Sequence, residues 1–188
     1  MKIGITGGIG SGKSFVCKVL QKYGYEVFDC DSAAKRLMRD SITLRQQLAD
    51  LIGADAYTTD GRLNKAVVAK FLLSSPANAN AIDAIVHPAV FQAFEESGLQ
   101  FMESAILFES GAYKLVDKVI IVTAPKEVRI ERVMARDHIN RQQVEQWMNK
   151  QLPQEELIGK ADFVIVNDGA TEIDKQVIKI LEQCNKQF

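Results

Sequence analysis

The sequence predicts an α/β fold, a three-layer domain built on a parallel five-stranded sheet. Three observations carry that prediction. Short strand-like segments alternate with helical patterns along the 188 residues. Two of them, Val119–Val122 and Val164–Val166, are apolar on both faces, as strands are when helices cover a parallel sheet from both sides. The first strand runs straight into a glycine-rich loop that opens a helix.

That first strand is Lys2–Thr6. Behind it, Gly7-Gly8-Ile9-Gly10-Ser11-Gly12-Lys13-Ser14 fits the pattern G-x-x-x-x-G-K-[ST], with a helix over about Lys13–Tyr23. Glycines let the backbone wrap a phosphate so that successive N–H groups converge on it. The helix dipole points its positive end at the same place. Lys13 then reaches the β- and γ-phosphates of a nucleoside triphosphate, and the Ser14 hydroxyl binds Mg²⁺. Gly8, Gly10, Ser11, Gly12, Lys13, Ser14 and Phe15 are the expected nucleotide-binding residues. A turn that merely joined strand to helix has no use for the Lys-Ser pair.

The second strand, Glu26–Phe28, ends in Asp29-Cys30-Asp31. A carboxylate here suits a general base that takes the proton of an attacking hydroxyl. Asp31 before Ser32-Ala33-Ala34 also suits a helix N-cap, and the sequence leaves both open. From Asp31 to Ser97 the patterns are helical: Ser32–Met38, Thr43–Leu51, Lys65–Leu73 and Ala79–Phe94. That is too long for one crossover helix, so it reads as an insertion beside the sheet. Within it, Pro88 marks a helix boundary or first turn, and His87 is either a structural residue or a ligand contact.

The third strand, Gln100–Glu103, ends in an acid suited to a metal's water shell or simply to solvent. After the fourth, Val119–Thr123, Arg129, Arg132 and Arg136 recur on one helix face. They form either surface pairs with Glu127 and Glu131 or a clamp on a transferred phosphoryl group. A second, polar insertion runs from about Glu131 to Leu157; in it Trp147 and Met148 line a nucleotide or, more commonly, pack. The fifth strand, Phe163–Val166, leads to Asn167 and Asp168, at a rim suited to an adenine or in a plain turn. In the last helix Thr171-x-x-Asp174 resembles a capping box, ahead of an apolar stripe of Ile173, Val177, Ile180, Leu181 and Cys184. Residues 1–30, 98–130 and 158–188 thus form a P-loop nucleotide-binding core, 31–97 a helical insertion and 131–157 a small helical lid.

A formal net charge of −1 argues against a general nucleic-acid or membrane-surface binder. Three scattered cysteines suit reduced thiols, and Met1-Lys2 leaves no room for a signal peptide, so a cytoplasmic protein is expected.

Several segments together resemble the dephospho-coenzyme A kinases: Gly4 through Ser14, Asp29-Cys30-Asp31, Ile85-Val86-His87-Pro88 and Leu107-Phe108-Glu109. The likeness continues through Glu131-Arg132-x-x-x-Arg136-Asp137, Gln151-x-Pro153 and Ala161-Asp162-x-Val164-Ile165-x-Asn167. It implies an ATP- and Mg²⁺-dependent kinase, expected to be a monomer, acting on dephospho-coenzyme A at the 3′-hydroxyl of its ribose. Carried over, Asp31 is the base, Lys13 grips the transferred phosphate, and Arg132 and Arg136 close on ATP. The insertion holds the acceptor, with Thr6, His87, Leu107, Phe108 and Glu109 on that side, and Asn167 lies near the adenine. The chain departs from the family pattern at Phe15, Cys30, Ala105-Ile106 and Trp147, the last where many members carry an Arg. Two alternatives are a P-loop kinase of nucleoside monophosphates and a nucleotide-operated switch, whose base-reading motif Asn167-Asp168-Gly169 lacks for want of a Lys.

Overall fold

The computed structural model describes residues 1–185; residues 186–188, assigned above to the last core segment, lie outside the described residues. The strands are β1 (Ile3–Thr6), β2 (Val27–Asp29), β3 (Phe101–Glu103), β4 (Lys118–Thr123) and β5 (Phe163–Val166). They form one sheet in the order β2-β3-β1-β4-β5. β1 pairs in parallel with β3 and β4, and β4 in parallel with β5. The chain leaves β1 toward one edge and returns to build the other, so the carboxyl end of β1 is a topological switch point, where open α/β sheets bind ligands.

The chain divides into two compact units, one made of Met1–Val27 and Leu99–Phe188, the other of Phe28–Gly98. In the first unit, α1 (Lys13–Lys22) and α9 (Ile173–Asn185) share a core with the sheet. Val16, Val19 and Leu20 of α1 meet Ile173, Val177, Ile180 and Cys184 of α9, over Ile3, Ile5, Phe101, Ile120, Val122 and Ile165. The apolar stripe expected of the last helix is therefore its buried face. The expected capping box is not formed. Asp168 instead accepts the Ala170 and Thr171 amides at 2.9 and 2.7 Å. Asp174 accepts from Lys22 Nζ at 2.7 Å and from the Tyr23 hydroxyl at 3.2 Å, which clips α9 to α1.

Three further helices complete this unit: α6 (Lys126–Asp137), α7 (Arg141–Met148) and α8 (Gln154–Ile158). A small cluster of Ile130, Val133 and Val144 joins α6 to α7, and Ile9 of the glycine-rich loop and Met148 pack against it. One side chain of the loop is thus anchored in the polar insertion. Trp147, by contrast, stands 41% exposed.

The second unit holds α2 (Cys30–Asp40), α3 (Ile42–Ile52), α4 (Lys65–Ser74) and α5 (Ala77–Ser97). Its buried residues include Ala33, Leu44, Leu48, Val86, Val90 and Phe94, with the Phe28 ring 5.4 Å from that of Phe94. Pro88 corrects the expectation of a boundary: it lies inside α5. Without an N–H it cannot bond the Ala84 carbonyl. Val86 on one side of it and Val90 and Phe94 on the other are all buried, and that shared packing carries the helix through. Among the described residues, no helix is long and apolar enough to cross a membrane.

Candidate active site

The glycine-rich loop opens α1 without a side-chain cap. Gly12 is the N-cap, its φ is 94°, no side chain caps the helix and no carboxylate lies in its first turn. α2, α3, α4 and α7 are instead capped by the side chains of Asp29, Ser41, Asn64 and Asn140, while α5, α6 and α8 start behind a proline with no side-chain cap. A helix start with no side-chain cap and no carboxylate, at the positive end of the helix dipole, suits an anion.

Two glycines are required by their surroundings. Gly10 has φ 78°, and a Cβ there would lie 2.5 Å from the Arg129 carbonyl oxygen. A Cβ on Gly12 would collide with Asn167 Nδ2. Lys13 Nζ donates to the Gly7 carbonyl at 2.8 Å, which holds the ammonium across the loop. Ser14 and Phe15 are exposed. Ser11 is fully buried, and its Oγ has no hydrogen-bond partner among the described residues. A backbone cradle with a lysine, an exposed hydroxyl and an orphaned one fits a polyphosphate with its metal.

Side chains from distant parts of the first unit hold the loop. Asn167 donates Nδ2 to the Ser11 carbonyl, and Arg132 donates to the carbonyls of Gly10 (3.4 Å) and Asn167 (3.1 Å) and to Asn167 Oδ1 (3.3 Å). Gln151 Oε1 accepts the Ile9 amide at 2.7 Å. Arg129 donates Nε to the Ile9 carbonyl at 2.9 Å, and Gln154 Oε1 accepts from both the Ala124 amide and Arg129 Nη1. Gln151 entered the sequence reading only through a family stretch, and Gln154 not at all. An isolated glutamine has no pattern to betray it; Pro153, which starts α8 and sets Gln154 in its first turn, was the available signal.

Arg132 is therefore brought to the loop. Arg136 is not: its guanidinium, 62% exposed, makes a two-point pair with Asp137 at 2.8 and 2.7 Å. Asn167 is nearly buried, with its amide engaged by Ser11 and Arg132. Thr6 is buried at the end of β1, and Glu103 ends β3 half-buried. Leu107 corrects its expected role, because it is fully buried against Gly4 and so packs the core instead of lining an open surface. Phe108 is half-buried, its ring 5.5 Å from Tyr113 with Lys160 Nζ 5.3 Å away, and Glu109 is exposed.

In the helical unit, the cap of α2 is Asp29, whose carboxylate accepts the Ser32 amide at 3.0 Å and the Ser32 hydroxyl at 2.7 Å. That removes the capping explanation for Asp31. Asp31 lies in the first turn of α2, exposed, with no hydrogen bond or ion pair on its carboxylate among the described residues. His87 Nε2 is 3.6 Å from Asp83 Oδ1, and its ring stacks on Phe91 at 6.0 Å.

A loop that presents backbone amides and a lysine to an anion, at the switch point of a parallel sheet, defines a P-loop phosphotransferase. The family model for dephospho-CoA kinase matches residues 1–172. The dephospho-CoA kinase of Bacteroides fragilis (strain YCH46) is 37% identical over 188 residues, covering 96% of this chain and 91% of the relative. That of Salinibacter ruber is 41% identical over 176 residues, covering 89% and 88%. Among solved structures, TT1252 from Thermus thermophilus superposes with a TM-score of 0.83 at 34% identity, over 97% of this chain and 96% of that one. The chain belongs to the dephospho-CoA kinase family, ATP-dependent kinases that phosphorylate an alcohol.

Proposed function

We propose that this protein transfers the γ-phosphoryl group of ATP to the 3′-hydroxyl of the ribose of dephospho-coenzyme A, giving coenzyme A and ADP. The observation that carries the reading is the start of α1, whose first-turn amides, left without a side-chain cap, open directly from the glycine cradle of Gly10 and Gly12. The phosphates of ATP take those amides, and Lys13 exchanges the Gly7 carbonyl for a phosphate oxygen, a stronger acceptor. Ser14 would hold Mg²⁺, which neutralises charge on the β- and γ-phosphates when bound.

The acceptor oxygen attacks the γ-phosphorus as the bond to ADP breaks, and the hydroxyl proton passes to Asp31. An exposed carboxylate with no partner of its own supports that role. Arg132 already lies on the loop; Arg136 is proposed to leave Asp137 and join it, bringing positive charge to the transferred group and excluding water. Thr6, His87, Phe108 and Glu109 are proposed on the acceptor side, and Asn167 on the nucleotide side. The enzyme is read as cytoplasmic and monomeric. Turnover of ATP with dephospho-coenzyme A, set beside AMP, UMP and simple alcohols, tests the reading. Dephospho-coenzyme A is expected to be used fastest; faster phosphorylation of AMP sinks the acceptor assignment.

A further inference from the structure

We infer that Arg129 is a positioning residue for phosphoryl transfer: a buried cation against the phosphate loop whose missing counter-charge is supplied by the phosphates of bound nucleotide. The inference rests on the loop binding ATP, as proposed above.

Arg129 is only 8% exposed. Its Nε donates to the Ile9 carbonyl at 2.9 Å and Nη1 to Gln154 Oε1 at 3.4 Å, both neutral acceptors. Nη2 has no hydrogen bond among the described residues and lies against Gly8, where any Cβ would collide with it. No carboxylate stands within 4.0 Å of the guanidinium among the described residues; Glu155 acts on it from farther away. Four exposed arginines reverse this pattern: Arg39, Arg62, Arg136 and Arg141 each hold a carboxylate. Burial without a close counter-charge is normally unfavourable for a cation, and here it pushes the Arg129 pKa down.

Two consequences converge on the loop. The Ile9 carbonyl is held by Arg129 while the Ile9 amide is held by Gln151, so the peptides on both sides of Ile9 are fixed. The amides that follow are aimed before any ligand arrives. A charge in a poorly screened site also acts over several ångströms, so it favours an anion bound to the loop without touching it.

The test uses the full chain and Arg129→Met, Arg129→Gln and Arg129→Lys. Melting is followed without ligand, and affinities for ATP, ADP and adenosine are measured by calorimetry, with kcat and KM alongside. Without ligand, Arg129→Met is expected to melt at or above the wild-type temperature, because an unpaired buried charge has been removed. ATP and ADP should bind about 10–100-fold more weakly, adenosine equally well, and Arg129→Lys should recover most of the loss. Arg129→Gln gives the same reading should the Met variant not fold. Equal losses for ADP and adenosine, or ADP binding unchanged, would mean that Arg129 merely packs, and the inference falls. A wild-type protein that binds no ATP overturns the loop assignment itself, which separates that failure from this one.

Discussion

Asn167 donates its side-chain amide to the Ser11 carbonyl at 2.9 Å, joining the end of β5 to the phosphate loop across 156 residues of chain. The same residue receives Arg132 on both its side-chain and its backbone oxygen, and Arg132 goes on to the Gly10 carbonyl. One arginine and one asparagine thus pin the Gly10 and Ser11 carbonyls of the loop. The amides on the other side of those peptides are fixed as a result, and a loop ordered in advance loses less entropy on binding.

Replacing Asn167 by Ala should therefore act on the loop and on stability together. The Ser11 carbonyl and the Arg132 guanidinium both lose a partner in a nearly buried place, a loss of about 1–3 kcal/mol. A lower melting temperature and a raised KM for ATP are expected. Asn167→Asp should keep the acceptor for Arg132 but set an oxygen against the Ser11 carbonyl, and so rescue little. Thermal melts with and without ATP check both variants.

Asp29 and Asp31 should separate cleanly. Asp29→Ala removes the cap of α2 and should lower stability by about 1 kcal/mol, read in a denaturant titration. Asp31→Asn should leave stability unchanged and lower kcat roughly 10²–10⁴-fold with ATP affinity retained. Near-normal turnover by Asp31→Asn would remove it as the base.

The two arginines of the polar insertion are expected to differ in kind. Arg132→Ala should weaken ATP binding and stability, because it strips contacts from Gly10 and Asn167 that exist before substrate arrives. Arg136→Ala should spare both and lower kcat about tenfold or more, as for a contact made mainly in the transition state. Steady-state kinetics decide it, and an unchanged kcat for Arg136→Ala removes that residue from the mechanism.

Acid should weaken the junction at Asp162. Burial pushes its pKa up, but the hydrogen bonds from Lys118 and the Val119 amide, with the Lys118 charge, outweigh it and leave the value below the ordinary 3.8. A carboxyl depressed by folding stabilises fully above its unfolded pKa and loses that contribution as pH falls through the folded one. Asp162→Asn should therefore lower the melting temperature at neutral pH, and its gap from wild type should close as the pH drops below 3.8. Melting curves across that range show whether the gap closes.

The sheet, the phosphate loop and the helical character of residues 31–97 were legible because each rests on a local pattern: alternation, a glycine motif, a helical period. Pro88 was misread because its local rule favours a break, while burial of Val86, Val90 and Phe94 on both sides of it acts at long range. The Asp29 cap was missed by two positions, since Asp29 and Asp31 are equal candidates until the strand's end is known. The supporting shell was the least visible part. Gln151 and Asn167 reach the loop through hydrogen bonds spanning most of the chain, while Gln154 holds Ala124 and the Arg129 that supports the loop, and no spacing announces such bonds.

The order of synthesis runs against the order of assembly. A ribosome delivers β1 and the phosphate loop first, yet β1 pairs with β3 and β4, which emerge about a hundred residues later. The Ile9 amide waits for Gln151, and the Ser11 carbonyl waits for Asn167. A nascent chain halted before Asn167 carries the whole nucleotide motif and only an unfinished site.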